Sequence, residues 1–227
     1  MQIKFFSIVN GQDKEYWSIK DNFMMHLERI GLKDKHELII TDTSSGNWEE
    51  EGFLDTVYHK LDMTRYYLKK GYYVFCSDLD IVFLRNPINN LKKTMVDNKY
   101  DILFQHDYGD FGDDGIYSCY CTGFYFVKPS KMTKKLFDRN VNIFKRKNKI
   151  DLPMGDRSDQ KYINRKLTQK RFKPLNVGLL DKEVYPNGWV WMNQKNKNVP
   201  YIVHYNCIEG GIKAKEIEMQ RFNHWLV

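Results

Sequence analysis

Phe75-Cys76-Ser77-Asp78-Leu79-Asp80-Ile81-Val82-Phe83-Leu84-Arg85-Asn86-Pro87 is the stretch on which the fold turns. It opens inside the apolar, β-prone run Tyr72 to Cys76. Such near-continuous hydrophobicity belongs to a strand buried on both faces, as the central strands of parallel sheets are. Two carboxylates follow at once. Asp78 and Asp80 come directly after the strand, where α/β sheets place their ligands. A spacing of two puts both on one side if the extended conformation persists. Their apolar neighbours make them conspicuous, and burying them unpaired would be costly. A hard divalent cation, Mg²⁺ or Mn²⁺, removes that cost because it prefers oxygen ligands. The plainer alternative is a turn in which Asp78 caps a helix and Asp80 pairs with a base. The position after this strand, with the apolar tail and Arg85-Asn86-Pro87, favours the cation. Like charges so close should repel, so neutralising either carboxylate is expected to hold or raise the metal-free stability.

Upstream, strand-like and helix-like segments alternate. Ile3 to Val9 reads as a buried first strand ending at Asn10-Gly11. Residues 14 to 30 place Trp17, Phe23, Met24, Leu27 and Ile30 at roughly helical spacing, with Gly31 as C-cap. Leu38 to Ile40 makes a second strand. A helix from about Gly52 carries Val57, Leu61, Thr64 and Leu68 on one stripe and closes at Gly71. This βαβαβ order predicts an α/β domain with a mostly parallel central sheet flanked by helices. Downstream, the pattern predicts a helix over 88–97, strands over 101–105 and 120–127, and a basic amphipathic helix from Lys131 to Lys149. A helix over 158–167, a strand Tyr201 to His204 and a closing helix with Ile217, Phe222 and Trp225 complete it. Trp189 and Trp191 alternate as strand residues do, with core packing expected for at least one. No linker or repeat divides residues 1–227, so one domain is expected.

Composition excludes several classes. Apolar residues at 42% and charged residues at 29% are those of an ordinary globular protein. No apolar stretch is long enough for a membrane span, and the N-terminus turns polar too early for a signal peptide. No Asn-x-Ser/Thr acceptor occurs. Cys76, Cys119, Cys121 and Cys207 lack zinc-ligand spacing and read as reduced thiols of a cytoplasmic protein. The net charge of +7 does not imply nucleic acid, since the basic run has the spacing of a solvated helix. It suits an anionic small substrate. Asp107 to Gly115 forms an acidic loop whose spacing fits no EF-hand. Walker A, Rossmann glycine and His-Glu-x-x-His patterns are absent.

Phe75 to Pro87 resembles the metal-binding segment of the nucleotide-diphospho-sugar transferases of GT-A fold: hydrophobic strand, Asp-x-Asp, apolar tail, Arg-x-Pro. Other segments agree in order. Lys60 to Gly71 is similar to the preceding family helix, and Cys121-Thr122-Gly123-Phe124 to the Asn-x-Gly-Phe-type strand, with Cys121 in place of Asn. Ser158-Asp159-Gln160 and Asn164 resemble the Asp-Gln helix. Leu180-Asp181 to Pro186-Asn187-Gly188 and His204 to Gly210-Gly211-Ile212-Lys213 resemble the two late motifs, with Lys213 or Lys215 as the closing lysine.

The resemblance implies a metal-dependent glycosyltransferase moving a sugar from a nucleotide-diphosphate donor, UDP-hexose by default, to a glycan or other acceptor. Asp78, Asp80 and His204 would hold Mn²⁺ or Mg²⁺. Ile8, Val9, Asn10, Lys60, Arg65, Ser77, Leu79 and Lys213 would bind the nucleotide, and Lys213 would stabilise the leaving diphosphate. Thr122, Gly123, Asp159 and Gln160 would face the donor sugar, with Asp159 catalytic. Residues 1–87 would be the nucleotide-binding half and 88–227 the donor-sugar and acceptor half. Without a dedicated acceptor-side base, retention of configuration is expected, Asp107 and Asp110 being the candidates if the enzyme inverts. Without the stem of anchored relatives, a soluble bacterial or viral enzyme is expected, or a domain of a longer protein, in the host cytoplasm if viral. The alternatives are a non-catalytic sugar- or partner-binding module of the same fold and a metal-dependent nucleotidyltransferase.

Overall fold

A computed structural model describes residues 1–42, 51–107, 120–139, 158–193 and 199–227, with the first two residues of the segment from 51 given by backbone alone. The strands are β1 (Ile3–Asn10), β2 (His36–Thr41), β3 (Tyr73–Ser77), β4 (Ile81–Phe83), β5 (Ile102–His106), β6 (Tyr120–Val127), β7 (Val177–Leu179) and β8 (Ile202–His204). The helices are α1 (Tyr16–Arg29), α2 (Glu51–Lys69), α3 (Ile88–Asp97), α4 (Lys131–Leu136), α5 (Asp159–Leu167), α6 (Gly188–Asn193) and α7 (Gly211–Arg221).

A six-stranded sheet runs in the order β2-β1-β3-β6-β5-β7. β1 pairs in parallel with β2 and β3, and β5 with β7, while β6 is antiparallel to both of its neighbours. Five strands therefore share one direction and β6 alone runs against them, giving the mostly parallel α/β sheet that the residue pattern predicts. β4 and β8 form a separate antiparallel pair.

Alternation along the strands divides the core between the two sheet faces. Phe5, Phe75, Phe124 and Phe126 pack on one face with Phe23 and Leu27 of α1 and Phe83 of β4. Phe6, Val74, Cys76 and Tyr125 pack on the other with Leu61 and Leu68 of α2 and Tyr162 and Ile163 of α5. Phe5 stacks on Phe75 with centroids 4.2 Å apart, and Phe124 meets Phe75 edge-on at 5.1 Å. The end of β3, where Asp78 begins, is thus anchored by its own aromatic residues.

Gly31 (φ 68°) and Gly71 (φ 86°) adopt the left-handed conformation that closes α1 and α2 as expected. Three expectations change. The Trp189–Trp191 segment is a helix, α6, started by Asn187 Oδ1 accepting from Val190 N at 2.9 Å. The closing helix ends at Arg221, leaving Phe222 and Trp225 beyond it. The basic helix is described only over Lys131–Leu136, where Ser130 and Thr133 form a capping box; residues 140–157 lie outside the described residues. β7, a three-residue edge strand, was not read from the pattern. The thiols of Cys76, Cys121 and Cys207 are free; Cys119 lies outside the described residues.

His36, at the start of β2, has both ring nitrogens buried and without a hydrogen-bond partner among the described residues. Phe5 and Phe23 meet it edge-on. Burial pushes its pKa down to about 4, against a small upward pull from Glu37. The unfolded chain therefore takes up this proton first, and the stabilising contribution, full above pH 6.5, is lost as pH falls toward 4. Urea titrations should show about 3 kcal/mol less stability at pH 4 than at pH 7 from this residue alone. In His36→Leu that part of the acid sensitivity should vanish. An unchanged pH profile would show that the ring is not buried neutral.

Candidate active site

Asp78, Leu79 and Asp80 carry the chain from the main sheet to the small one. Asp78 N donates to Gly123 O of β6 at 2.7 Å, extending the β3–β6 pairing by one step. Asp80 O accepts from Tyr205 N at 2.8 Å, extending the β4–β8 pairing. Each carboxylate is thereby fixed beside a strand that brings another site residue, Gly123 in one case and His204 in the other.

His204 Nε2 lies 3.2 Å from Asp80 Oδ1. One ligand atom each from Asp78, Asp80 and His204 can be chosen so that all three lie within 4.8 Å of one another. Gly123 makes the room. A Cβ at that position would press on His204 Cε1 and lie 2.7 Å from Asp78 Oδ2.

Two lysines close the cluster. Lys60 of α2, buried, sits 2.9 Å from Asp78 Oδ1 and 3.1 Å from Asp159 Oδ2. Burial works against its charge, but Asp159 and Asp78 outweigh that and hold its pKa well above the ordinary lysine value. Lys215 of α7 reaches Asp80 Oδ2 at 2.6 Å. Burial likewise opposes the Asp80 carboxylate, and Lys215 and His204 overcome it, holding its pKa below the usual carboxylate range. Among the described residues of the cluster, three carboxylates against two ammonium groups leave one negative charge unbalanced. Asp159 Oδ2 is also buried with no aligned hydrogen-bond donor among the described residues, although Lys60 is near it. The distance shows an ion pair; the alignment shows unused acceptor capacity.

The donor set, two carboxylates and one imidazole nitrogen with excess negative charge, fits a divalent cation such as Mn²⁺ or Mg²⁺. Asp78, Asp80 and His204 would hold it.

Gln160, second residue of α5, ties the neighbouring elements together. Its Oε1 accepts from Thr122 N at 3.3 Å, and its Nε2 donates to Asp107 Oδ2 at 2.5 Å. Burial raises the Asp107 carboxyl pKa, with Gln160 pulling the other way. Asp110 lies outside the described residues. Ile8, Val9 and Asn10 end β1 in register with β2, with Val9 and Asn10 buried. Ser77 and Leu79 are buried on either side of Asp78.

Two expected residues stand elsewhere. Arg65 pairs with Asp138 at 2.7 Å, its place on α2 turning it away from Lys60's partners. Lys213 is exposed, and Lys215 occupies the position expected of it. Positions 213 and 215 are about 200° apart around α7, so only one can face Asp80. Pattern reasoning also missed Gln105, fully buried against His204, and the half-buried Tyr16, whose hydroxyl lies within electrostatic reach of Lys215, Asp80 and Asp78.

A family model described as nucleotide-diphospho-sugar transferase matches residues 23–219. The chain belongs to that family. The chain is 30% identical over 179 residues to the UDP-galactose:fucoside alpha-3-galactosyltransferase of Dictyostelium discoideum. The match covers 70% of the chain and 26% of that relative, so the chain spans about a quarter of the relative's length. In fold, it is similar to a glycosyltransferase involved in glycosylation of the major capsid of PBCV-1. The TM-score there is 0.58 at 12% identity, covering 97% of this chain and all of that one. Mouse xyloside xylosyltransferase 1 gives a TM-score of 0.51 at 9% identity over 91% of this chain and 98% of that one. These likenesses show the GT-A fold. Among the described residues no helix is long and apolar enough to cross a membrane.

The lysine pairing reverses the expectation of repulsion between Asp78 and Asp80. Asp80→Asn would strand the partly buried Lys215 ammonium, and breaking such a pair from one side costs about 3 kcal/mol. Metal-free Asp80→Asn should therefore melt well below the parent transferase by calorimetry. Asp80→Asn combined with Lys215→Met should recover much of the loss. An unchanged melting temperature in the single variant would place Lys215 outside the cluster.

Proposed function

We propose that this transferase moves a sugar, with UDP-hexose as donor, from a nucleotide diphosphate to a glycan or other acceptor. The observation that carries this is the meeting of Asp78, Asp80 and His204 at the C-terminal end of β3, bounded by Lys60 and Lys215. The UDP-sugar donor in the Dictyostelium relative's name supports the choice of nucleotide. Residues 1–87 serve as the nucleotide-binding half, with Ile8, Val9, Asn10, Ser77 and Leu79 along the β1 and β3 ends. Residues 88–227 serve the donor sugar and acceptor.

A bound Mn²⁺ or Mg²⁺ supplies Lewis-acid neutralisation of charge on the departing diphosphate. The chain's own residues do the rest. Lys215 carries a second positive charge to the same place, an effect that grows as water is excluded. Lys60 holds Asp159, the residue before the Gln160 that accepts from Thr122 N, and its under-used Oδ2 can accept from sugar hydroxyls or face positive charge at the anomeric carbon. With Asp78 and Asp80 committed to the cation, no free carboxylate of the pair remains to act as base. The acceptor's proton then passes to the leaving phosphate on the same face, with retention. The α linkage in the relative's name fits retention from an α-linked donor.

Thermal-shift titrations with UDP, GDP and CDP, with Mn²⁺ or EDTA, test the donor class. UDP at about 100 times its dissociation constant should stabilise by about 2.7 kcal/mol in Mn²⁺ only, and Asp78→Asn should abolish that increment. Equal shifts in EDTA would remove the metal from the reading. Stereochemistry is tested by NMR assignment of the new glycosidic bond. An inverted linkage, with activity lost in Asp107→Asn, would move the catalytic role from Asp159 to Asp107.

A further inference from the structure

We propose that Gln105 is a positioning residue that holds His204 with its proton on Nδ1, keeping the Nε2 lone pair free as a cation ligand. The proposal rests on the reading of His204 as a metal ligand given above. Gln105 is fully buried at the end of β5. Its Nε2 lies 3.1 Å from both Tyr185 O and Pro186 O. Only an amide N–H₂ can face two carbonyl oxygens, because the reversed amide would set three acceptors against one another. The other end of the amide, Oε1, therefore faces His204 Nδ1, at 2.6 Å. Two lone pairs cannot share so short a contact, so Nδ1 is the donor.

The remaining ring nitrogen, Nε2, points to Asp80 Oδ1 at 3.2 Å. Left to Asp80 alone, a neutral ring would put its proton on Nε2, where the carboxylate accepts it and the ligand position is blocked. Gln105 opposes that choice. Cys121 Sγ, 3.9 Å from Nδ1, is a weak and distant acceptor that cannot substitute. Pro186 O accepts from His204 N at 3.1 Å as well as from Gln105. One carbonyl thus aligns both the histidine's backbone and the amide that orients its ring. Partners of this kind set the tautomer and orientation of ligating histidines.

Gln105→Met keeps the length of the side chain and removes both amide functions. Binding of Mn²⁺ in the absence of donor, followed by the electron-paramagnetic signal of the free ion, should weaken about 10- to 100-fold in this variant. In a His204→Ala background the same substitution should change Mn²⁺ affinity little, since its route of action is gone. Ring ¹⁵N NMR, with His204 assigned through His204→Ala, should show Nδ1 protonated in the parent with and without Mg²⁺. In metal-free Gln105→Met at alkaline pH the proton should move to Nε2. A parent ring carrying its proton on Nε2 alone, or equal affinity losses in both backgrounds, would overturn the proposal. Unaltered Mn²⁺ binding in His204→Ala would overturn the ligand assignment itself, whereas the ring spectra would still show whether Gln105 sets the tautomer. Should Gln105→Met not fold, the parent spectra alone decide the protonation.

Discussion

The site depends on one constraint: the three residues Asp78, Leu79 and Asp80 must cross from one sheet to another without losing their backbone pairing. Gly123 O takes the amide on one side and Tyr205 N meets the carbonyl on the other. The aromatic cluster of Phe5, Phe75 and Phe124 holds β3 beneath this crossing, so the carboxylates inherit their positions from the core. A loop would place two aspartates less exactly than two strand ends do, because its backbone has few fixed partners.

Charge is managed by the same architecture. Each carboxylate has a lysine of its own, brought by a helix on a different part of the chain: Lys60 by α2 and Lys215 by α7. These pairs hold the site together without a cation, and in the proposed function the same lysines would meet the diphosphate. On the proposed reading, stability and ligand binding would draw on the same ammonium groups.

Much of this was legible in the residues. The β3 run, the glycines closing α1 and α2, and the strand bearing Gly123 announce themselves through burial pattern and backbone need. Asp78, Asp80 and His204 followed from donor chemistry and resemblance. The failures have physical causes. Trp189 and Trp191 occupy a helix of six residues, too short for period 2 and period 3.6 to be told apart. Choosing between Lys213 and Lys215 requires the rotational phase of α7, which is set by packing and not by the glycines before it. Gln105 is invisible because an amide at the end of an apolar strand has no characteristic spacing. Its meaning lies in partners 80, 81 and 99 residues away. Arg65 fell on the predicted helix, but Asp138 lies closer to it than the site does.

Lys215 and Asp80 are 135 positions apart, and His204 lies on the strand just before α7. Synthesis delivers the acidic pair long before the groups that balance it. Until residues 202–215 emerge, a nascent chain presents Asp80 with neither imidazole nor ammonium beside it. Contacts of such long sequence separation form slowly, because loop-closure entropy must be met before they return any energy. On the proposed reading, occupation of the three-residue ligand set would be a report on completed folding: a chain that stops before residues 202–215 would have Asp78 and Asp80 but no His204 to complete the place for the ion.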